Sequence, residues 1–272
     1  MNPDELAPVA SERSRQKLIF FALACLFLCL VAYQLDASYR TARASAQTQV
    51  SNLALVLESK LSADLQAAEH AVSEMASSIA PEAMCQDRTG LYAAQLTQKL
   101  KADVHDISSA SALRYFDVHG DRLYTSIENE TTINIADRPF FRQLQQGSGS
   151  ATVFSDVSLG RITQRAGMYV AKAVRGADGA FLGVAVSTID LSTLREQFAR
   201  IDLGTLGAVA LRRLDNGALV ARYPGTIELD NRPAPEMPIR LAILQGAANG
   251  TLAIDSRVDG VPRLYGYPLL SG

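Results

Sequence analysis

Sixteen consecutive positions, Leu18 to Tyr33 (LIFFALACLFLCLVAY), carry neither a charge nor a proline, and Gln34 and Leu35 extend the run to Asp36. A helix that crosses the hydrocarbon core of a bilayer needs roughly 20 apolar residues, with about 17 at the short end. Residues 18–35 therefore predict a membrane-spanning helix. Arg13, Arg15 and Lys17 precede it directly, whereas Arg40 and Arg43 follow at greater distance. The denser basic cluster belongs on the cytoplasmic side. This assigns residues 1–17 to the cytoplasm and the rest of the chain to the periplasmic side of a bacterial inner membrane. Ala42-Arg43-Ala44 lies too far beyond the run for signal cleavage, so the span reads as an uncleaved anchor.

Beyond the span the period changes. From Asp36 to Ile79 there is no proline and no glycine, and apolar residues recur at Val50, Leu53, Leu57, Leu61, Leu65, Ala68, Val72, Met75 and Ile79. Every step is three or four residues, the period of an amphipathic helix. Pro81 marks its end, so residues 36–84 predict a long stalk continuous with the span. Two partners suit its apolar stripe equally: the chain's own body, or the same stripe on a second subunit in a parallel homodimer.

The rest of the chain alternates short strands, turns and short helices. After Thr89, LYAAQLTQKLKADV predicts a helix, ALRYFDV (112–118) a strand, and His119-Gly120-Asp121 a turn into 123–127. ADRPFFRQLQQ predicts a short helix that tolerates Pro139 in its first turn. Strands follow at 168–174 and 181–189, joined by Ala177-Asp178-Gly179, and then a helix at 191–198. The sequence of elements then restarts: strands at 206–212 and 218–223, a helix at 238–245, and strands at 251–257 and 264–269. The expected class is α+β, with two similar antiparallel units at 85–200 (membrane-distal) and 201–272 (membrane-proximal), helices lying on one face. The chain stops at Leu270-Ser271-Gly272 directly after a strand, which implies a cut-short second unit and an output domain beyond it.

Composition narrows the function. Of the 272 residues 48% are hydrophobic and 20% charged, with a formal net charge of -2, which suits a packed domain and not a nucleic-acid partner. Cys25 and Cys29 fall inside the apolar run, leaving Cys85 without an internal disulfide partner. No spacing of Cys and His suits zinc, no cofactor motif occurs, and His70, His105 and His119 are scattered and read as surface residues. Gly-x-Ser-x-Gly, phosphate-loop and His-Glu-x-x-His patterns are missing, so no enzymatic activity is expected of this chain.

Three segments carry a resemblance: DRPFFRQL (137–144), GMYVAKAVRGADGAFLGVAVSTIDLSTL (167–194) and ALRRLDNGALVARYP (210–224). With the order of anchor, long helix and two hairpin-rich units, they resemble the double Cache (PDC-type, tandem PAS-like) extracytoplasmic sensor domains. Such domains precede GGDEF diguanylate cyclase or histidine kinase output domains. The resemblance implies a ligand-sensing module of a transmembrane receptor in cyclic di-GMP or kinase signalling. In amino-acid-binding members a Tyr-x4-Arg-x-Trp-Tyr stretch and a later Asp line the distal pocket. Here Arg138 fits the arginine and Asp190 the aspartate, while Ile133, Phe140 and Phe141 replace the hydrogen-bonding aromatics.

The same residues suggest a pocket on chemical grounds. Arg138 and Arg142 are four apart on a helix start, where a guanidinium fork suits a carboxylate or phosphate. Phe140 and Phe141 could form an apolar wall, and Asp190, closing an apolar strand, could meet a cation. Tyr169 and Lys172 lie on the facing hairpin on opposite faces by alternation, and Ser155 and Asp156 sit on the connecting segment. Structural roles compete: Asp190 as the N-cap of LSTL, the two phenylalanines as core, Arg142 as a solvated partner of Asp137. Arg212, Arg213 and Arg222 read as exposed strand charges. The expected partners are a small carboxylate, amino acid or amine, the lipid bilayer, and a second copy along the stalk. A ligand-free dimerisation or protein-interaction module is the alternative reading.

Overall fold

The computed structural model describes residues 7–147, 149, 151–225 and 231–270, with the side chains of 7–16 and of residue 88 left aside. One helix, α1 (Ala7–Ser78), merges the predicted span and stalk without a break. At about 1.5 Å per residue its 72 residues reach about 110 Å. Among the described residues it is the one helix long and apolar enough to cross a membrane, and its most apolar stretch packs on nothing. The helix ends six residues before the expected boundary at 84. Pro81 cannot continue it, and Pro81–Met84 instead forms a 3-10 turn, with a second at Gln86–Arg88.

Past α2 (Thr89–Val104) the chain builds one antiparallel sheet from β1 (Ala110–Asp117), β2 (Arg122–Thr125), β3 (Val153–Phe154), β4 (Ser158–Leu159), β5 (Ala166–Arg175) and β6 (Phe181–Asp190). The order is β2-β1-β6-β5, with β3 and β4 both on the outer edge of β5. The Ala177-Asp178-Gly179 turn joins the two long central strands. Gly179 supplies the positive φ (82°), and the Asp178 carboxylate accepts the Ala180 N–H at 3.0 Å. Helices lie on both faces of this sheet, not on one as expected. The two-residue period of the strands explains the difference. Val170, Val174, Ala185 and Ile189 face α1, where they meet Ala68, Val72, Met75 and Ile79. Ala171, Ala173, Val184 and Val186 face the other way, onto Phe140, Phe141 and Leu144 of α3 (Pro139–Gln146).

The apolar stripe of α1 is thus buried in the body of its own chain at Leu61, Ala68, Val72, Met75 and Ile79, and half-buried at Val50, Leu53, Leu57 and Leu65. Two polar contacts fix the packing. The buried Tyr115 hydroxyl donates to the Met75 carbonyl at 2.9 Å, and Lys172 Nζ donates to Ser73 Oγ at 3.0 Å.

After α4 (Leu191–Ala199) come two separate hairpins: β7 (Val209–Arg212) with β8 (Leu219–Tyr223), and β9 (Asn249–Asp255) with β10 (Pro262–Pro268). The short helix α5 (Pro238–Leu244) lies between them in sequence. The repeat of elements is therefore present, but among the described residues the second set does not join into one sheet. Ion pairs bridge the hairpins instead. Asp259 accepts from Arg222 at 2.6 Å and from Arg263 at 2.7 and 2.8 Å. Hydrogen bonds from Arg263, then Ser256, hold the Asp259 carboxyl well below the usual carboxylate range. Arg222 is accordingly buried, not the exposed strand charge expected from sequence, because its partner comes from a loop 37 residues away.

β10 lies flush on the lower part of α1. A Cβ at Gly266 would stand 2.7 Å from both the Val50 carbonyl oxygen and its side chain. Gly266→Val should push the strand off the helix and destabilise the protein by about 1–3 kcal/mol, the usual cost of overpacking. Thermal unfolding checks this, and an unchanged midpoint would mean that strand and helix are not in contact.

Candidate functional site

A cavity of about 170 Å³ opens on the α3 side of the sheet, on the face turned away from α1. Its floor comes from alternate residues of three neighbouring strands. β6 contributes Val186, Thr188 and Asp190, β5 Gly167 and Tyr169, and β1 Arg114 and Phe116. The pairing sets these side by side: Tyr169 is opposite Thr188, and Gly167 opposite Asp190. Ile127, Ile133 and Ile135 add apolar surface to the lining, and the hairpin from Gly160 to Arg165 contributes a further part of it. That hairpin is closed by Gly160 N–H to the Arg165 carbonyl (2.8 Å) and Gln164 N–H to the Gly160 carbonyl (2.9 Å).

Of the residues singled out from sequence, Arg138, Phe140, Tyr169 and Asp190 line this cavity. They form a graded wall. Arg138, at the N-cap of α3, lies over the Tyr169 ring at 5.9 Å, and that ring stacks on Phe140 at 5.4 Å. Arg138 donates to the Leu159 carbonyl at 3.0 Å. Asp190 also has the structural role foreseen for it: one oxygen accepts the Ser192 N–H at 2.7 Å and caps α4. Its other oxygen meets Arg165 at 3.4 Å.

The other five candidates lie outside the lining. Phe141 points into the core and packs edge-on against Phe181 at 5.8 Å. Arg142 is exposed, its Nε donating to the Ala136 carbonyl at 3.2 Å. Lys172 has the opposite parity from Tyr169 and so reaches α1. Ser155 is held in the sheet edge, its hydroxyl accepting the Tyr169 N–H at 2.9 Å and donating to the Asp156 carbonyl at 2.8 Å. Asp156 reaches Arg213 at 3.6 Å, away from the cavity.

Several lining residues had not been singled out. Arg114 is buried, its Nη1 donating to Thr188 Oγ1 at 2.7 Å while Nε grips the Glu130 carboxylate at 3.0 and 3.2 Å. Glu130 also accepts from Arg122 at 2.7 Å and Thr125 at 2.7 Å. Burial opposes its ionisation, but the hydrogen bonds from Arg114, Thr125 and Arg122 outweigh that and hold its carboxyl below the ordinary range. Arg161 is tied to Asp137 and to the Asn134 carbonyl. Signals existed for these: an arginine inside the apolar strand ALRYFDV, two in the six-residue turn GRITQR, and the shared parity of Thr188 with Asp190. Among the described residues no group of three or more His, Cys, Asp or Glu is placed to hold a metal.

No family model matches the chain, and no curated protein matches it. Solved structures do. The extracellular domain of rpHK1S-Z16, a protein assigned as a histidine kinase, aligns at 21% identity with a TM-score of 0.70, covering 85% of this chain and 92% of that one. The ligand-binding domain of the Campylobacter jejuni chemoreceptor Tlp3, solved with L-valine, aligns at 14% identity and TM-score 0.54, covering 84% of this chain and 88% of that one. That of the Pseudomonas fluorescens chemoreceptor CtaA, solved with L-serine, aligns at 14% identity and TM-score 0.52, covering 82% and 89%. At these identities the likeness is one of fold, and the fold is that of the Cache-type sensor domains to which the sequence motifs already bear a resemblance.

Proposed function

We propose that the chain is the ligand-sensing part of a membrane receptor, anchored by residues 18–35 with residues 1–17 in the cytoplasm and the remainder periplasmic. In this reading the cavity in the membrane-distal unit (85–200) takes a small anionic or zwitterionic metabolite between Arg138 and Asp190. The observation that carries the reading is the lining itself: arginines, an aromatic stack and one carboxylate converge on a space that the chain leaves open. The amino acids bound by the Tlp3 and CtaA domains support it from outside.

The signal would leave the cavity by two routes. β1, β5 and β6 form the cavity floor on one face and turn the other toward α1, which β1 meets through Tyr115 and β5 through Lys172. Asp190 caps α4, whose Arg195 hydrogen-bonds the Gly225 carbonyl at the end of β8 in the membrane-proximal unit (201–272). A ligand moves such an equilibrium only by binding one arrangement better than the other. α1 runs unbroken into the span, so a shift against the sheet is carried into the membrane, while the membrane-proximal unit would lead on to an output domain, a diguanylate cyclase or histidine kinase by resemblance. Exposed Tyr39, Leu55 and Val56 support pairing of two copies along the stalk. The capping role of Asp190 favours a second reading, a ligand-free interaction module.

Thermal unfolding of the full chain in detergent against amino acids, organic acids, amines and phosphates decides between them. At a hundredfold excess over its dissociation constant a ligand stabilises by about 2.7 kcal/mol. That is a shift of roughly 5–11 °C for a domain of this size. Arg138→Ala should abolish the shift while staying folded. A flat response across the whole panel would select the interaction module.

A further inference from the structure

The charges around the cavity do not balance, and the imbalance says what kind of metabolite fits. Five guanidinium groups stand at or directly behind the wall: Arg114, Arg122, Arg138, Arg161 and Arg165. Three carboxylates answer them. Glu130 serves Arg114 and Arg122, Asp137 serves Arg161, and Asp190 meets Arg165. Among the described residues this leaves an excess of two positive charges. By these pairings it falls on Arg138 and on the Arg114 and Arg122 that share Glu130, but the two guanidiniums held most loosely are Arg138 and Arg165. Arg138 makes no ion pair within bonding distance among the described residues, although its charge helps to lower the neighbouring Asp137 carboxyl, and it donates to a backbone carbonyl, leaving most of its five N–H groups unused. Arg165 touches Asp190 at 3.4 Å, the outer edge of a hydrogen bond, and its side chain is 65% exposed.

An amino acid would need an acceptor for its ammonium group. Asp190, the one carboxylate that lines the cavity among the described residues, has one oxygen taken by the Ser192 N–H and the other turned to Arg165. An ammonium beside it would also face a surplus of positive charge. Two carboxylates, by contrast, match the two loosely held guanidiniums, each of which can take a carboxylate in a bidentate grip. Ile133, Ile135, Ile162 and Val186 give the lining an aliphatic part that suits the methylenes of such a ligand, beside the hydroxyls of Thr163, Tyr169 and Thr188. The volume, about 170 Å³, is below the roughly 300 Å³ at which drug-sized pockets begin.

We infer that the cavity is selective for a short aliphatic dicarboxylate without an amino group, held by Arg138 at one end and Arg165 at the other, with Arg165 leaving Asp190 as it binds. This rests on the reading of the cavity as the sensor's ligand site.

Titration calorimetry on the full chain with succinate, propionate, L-serine and L-valine tests it. Succinate should bind, and the three others at least tenfold more weakly, because each lacks the second carboxylate. Arg165→Ala, at an exposed position that will not disturb folding, should weaken succinate at least tenfold and propionate far less. Arg138→Ala should weaken both. L-Serine or L-valine binding as tightly as succinate would overturn the dicarboxylate class while leaving the sensor reading in place. So would a succinate affinity indifferent to Arg165→Ala. If none of the four binds but another compound of the wider metabolite panel stabilises the chain, only the dicarboxylate class falls. If nothing stabilises it, the sensor reading falls as well.

Discussion

Glu130→Ala is expected to destabilise the protein by about 3–5 kcal/mol, the cost of removing one partner from a buried ion pair. The side chain of Glu130 is 2% exposed and answers two guanidiniums, of which Arg114 is 9% and Arg122 12% exposed. Alanine would leave both cations without their carboxylate, where little of either side chain meets solvent. For a domain of this size the unfolding midpoint should fall by roughly 6–20 °C. The control is Glu128→Ala two residues away. Its side chain is 75% exposed and paired with Lys101, and such pairs contribute about 0–1 kcal/mol. The same group gives a pH signature. Because the folded pKa of Glu130 is lowered, its contribution is present above the unfolded carboxylate value of about 4.3. It is lost as pH falls through the depressed folded value. Acid unfolding of Glu130→Ala should therefore be less steep than that of the parent. Equal midpoints for the Glu130 and Glu128 variants would show that the cluster is not formed.

Gly183→Ala should be about as damaging, for a steric reason. Gly183 sits in the centre of the sheet, on β6 beside β1, with a φ of 149°. A Cβ there would stand 2.0 Å from the Phe116 carbonyl oxygen and 2.6 Å from the Met84 side chain. The methionine end can move, but the carbonyl is part of the β1 backbone and cannot. Overpacking of about 1–3 kcal/mol adds to a backbone conformation costing an L-residue about 1–3 kcal/mol. The expected loss is about 4 kcal/mol, read as the midpoint of denaturant unfolding. Gly179→Ala in the adjoining turn is the comparison. It has a positive φ but no atom within 4 Å of the missing Cβ, so it should cost only the conformational part. If the two variants unfold alike, β1 and β6 do not approach as described.

Local period was a reliable guide to the elements and to the buried face of the stalk, though it left open what covers that face. Steps of three and four residues placed Leu61, Ala68, Val72, Met75 and Ile79 on one face, and that face is the buried one. Alternation separated Tyr169 from Lys172, which indeed reach opposite sides of the sheet. All three histidines are exposed, as their scatter suggested. What the sequence could not convey was which distant segments share a wall. Arg114 and Glu130 meet across 16 positions, and Arg165 and Asp190 across 25. Neither pair has a local pattern, because a turn and a strand pairing bring them together. Arg222 was misread for the same reason, its partner lying on a loop of the other hairpin. Phe141 and Arg142 were drawn into the pocket by their nearness to Arg138, yet on a helix consecutive residues point about 100° apart. Only Phe140 of the three that follow Pro139 keeps the orientation that reaches Tyr169.

The central claim is that a small metabolite occupies the cavity between Arg138 and Asp190. The most direct measurement is a structure of the chain saturated with whichever compound stabilises it most in thermal unfolding. The reading requires that compound on the α3 face of the sheet, with an anionic group against the Arg138 guanidinium and the Phe140–Tyr169 stack at its side. The same compound seated elsewhere, with the cavity empty or filled only by solvent, would contradict it.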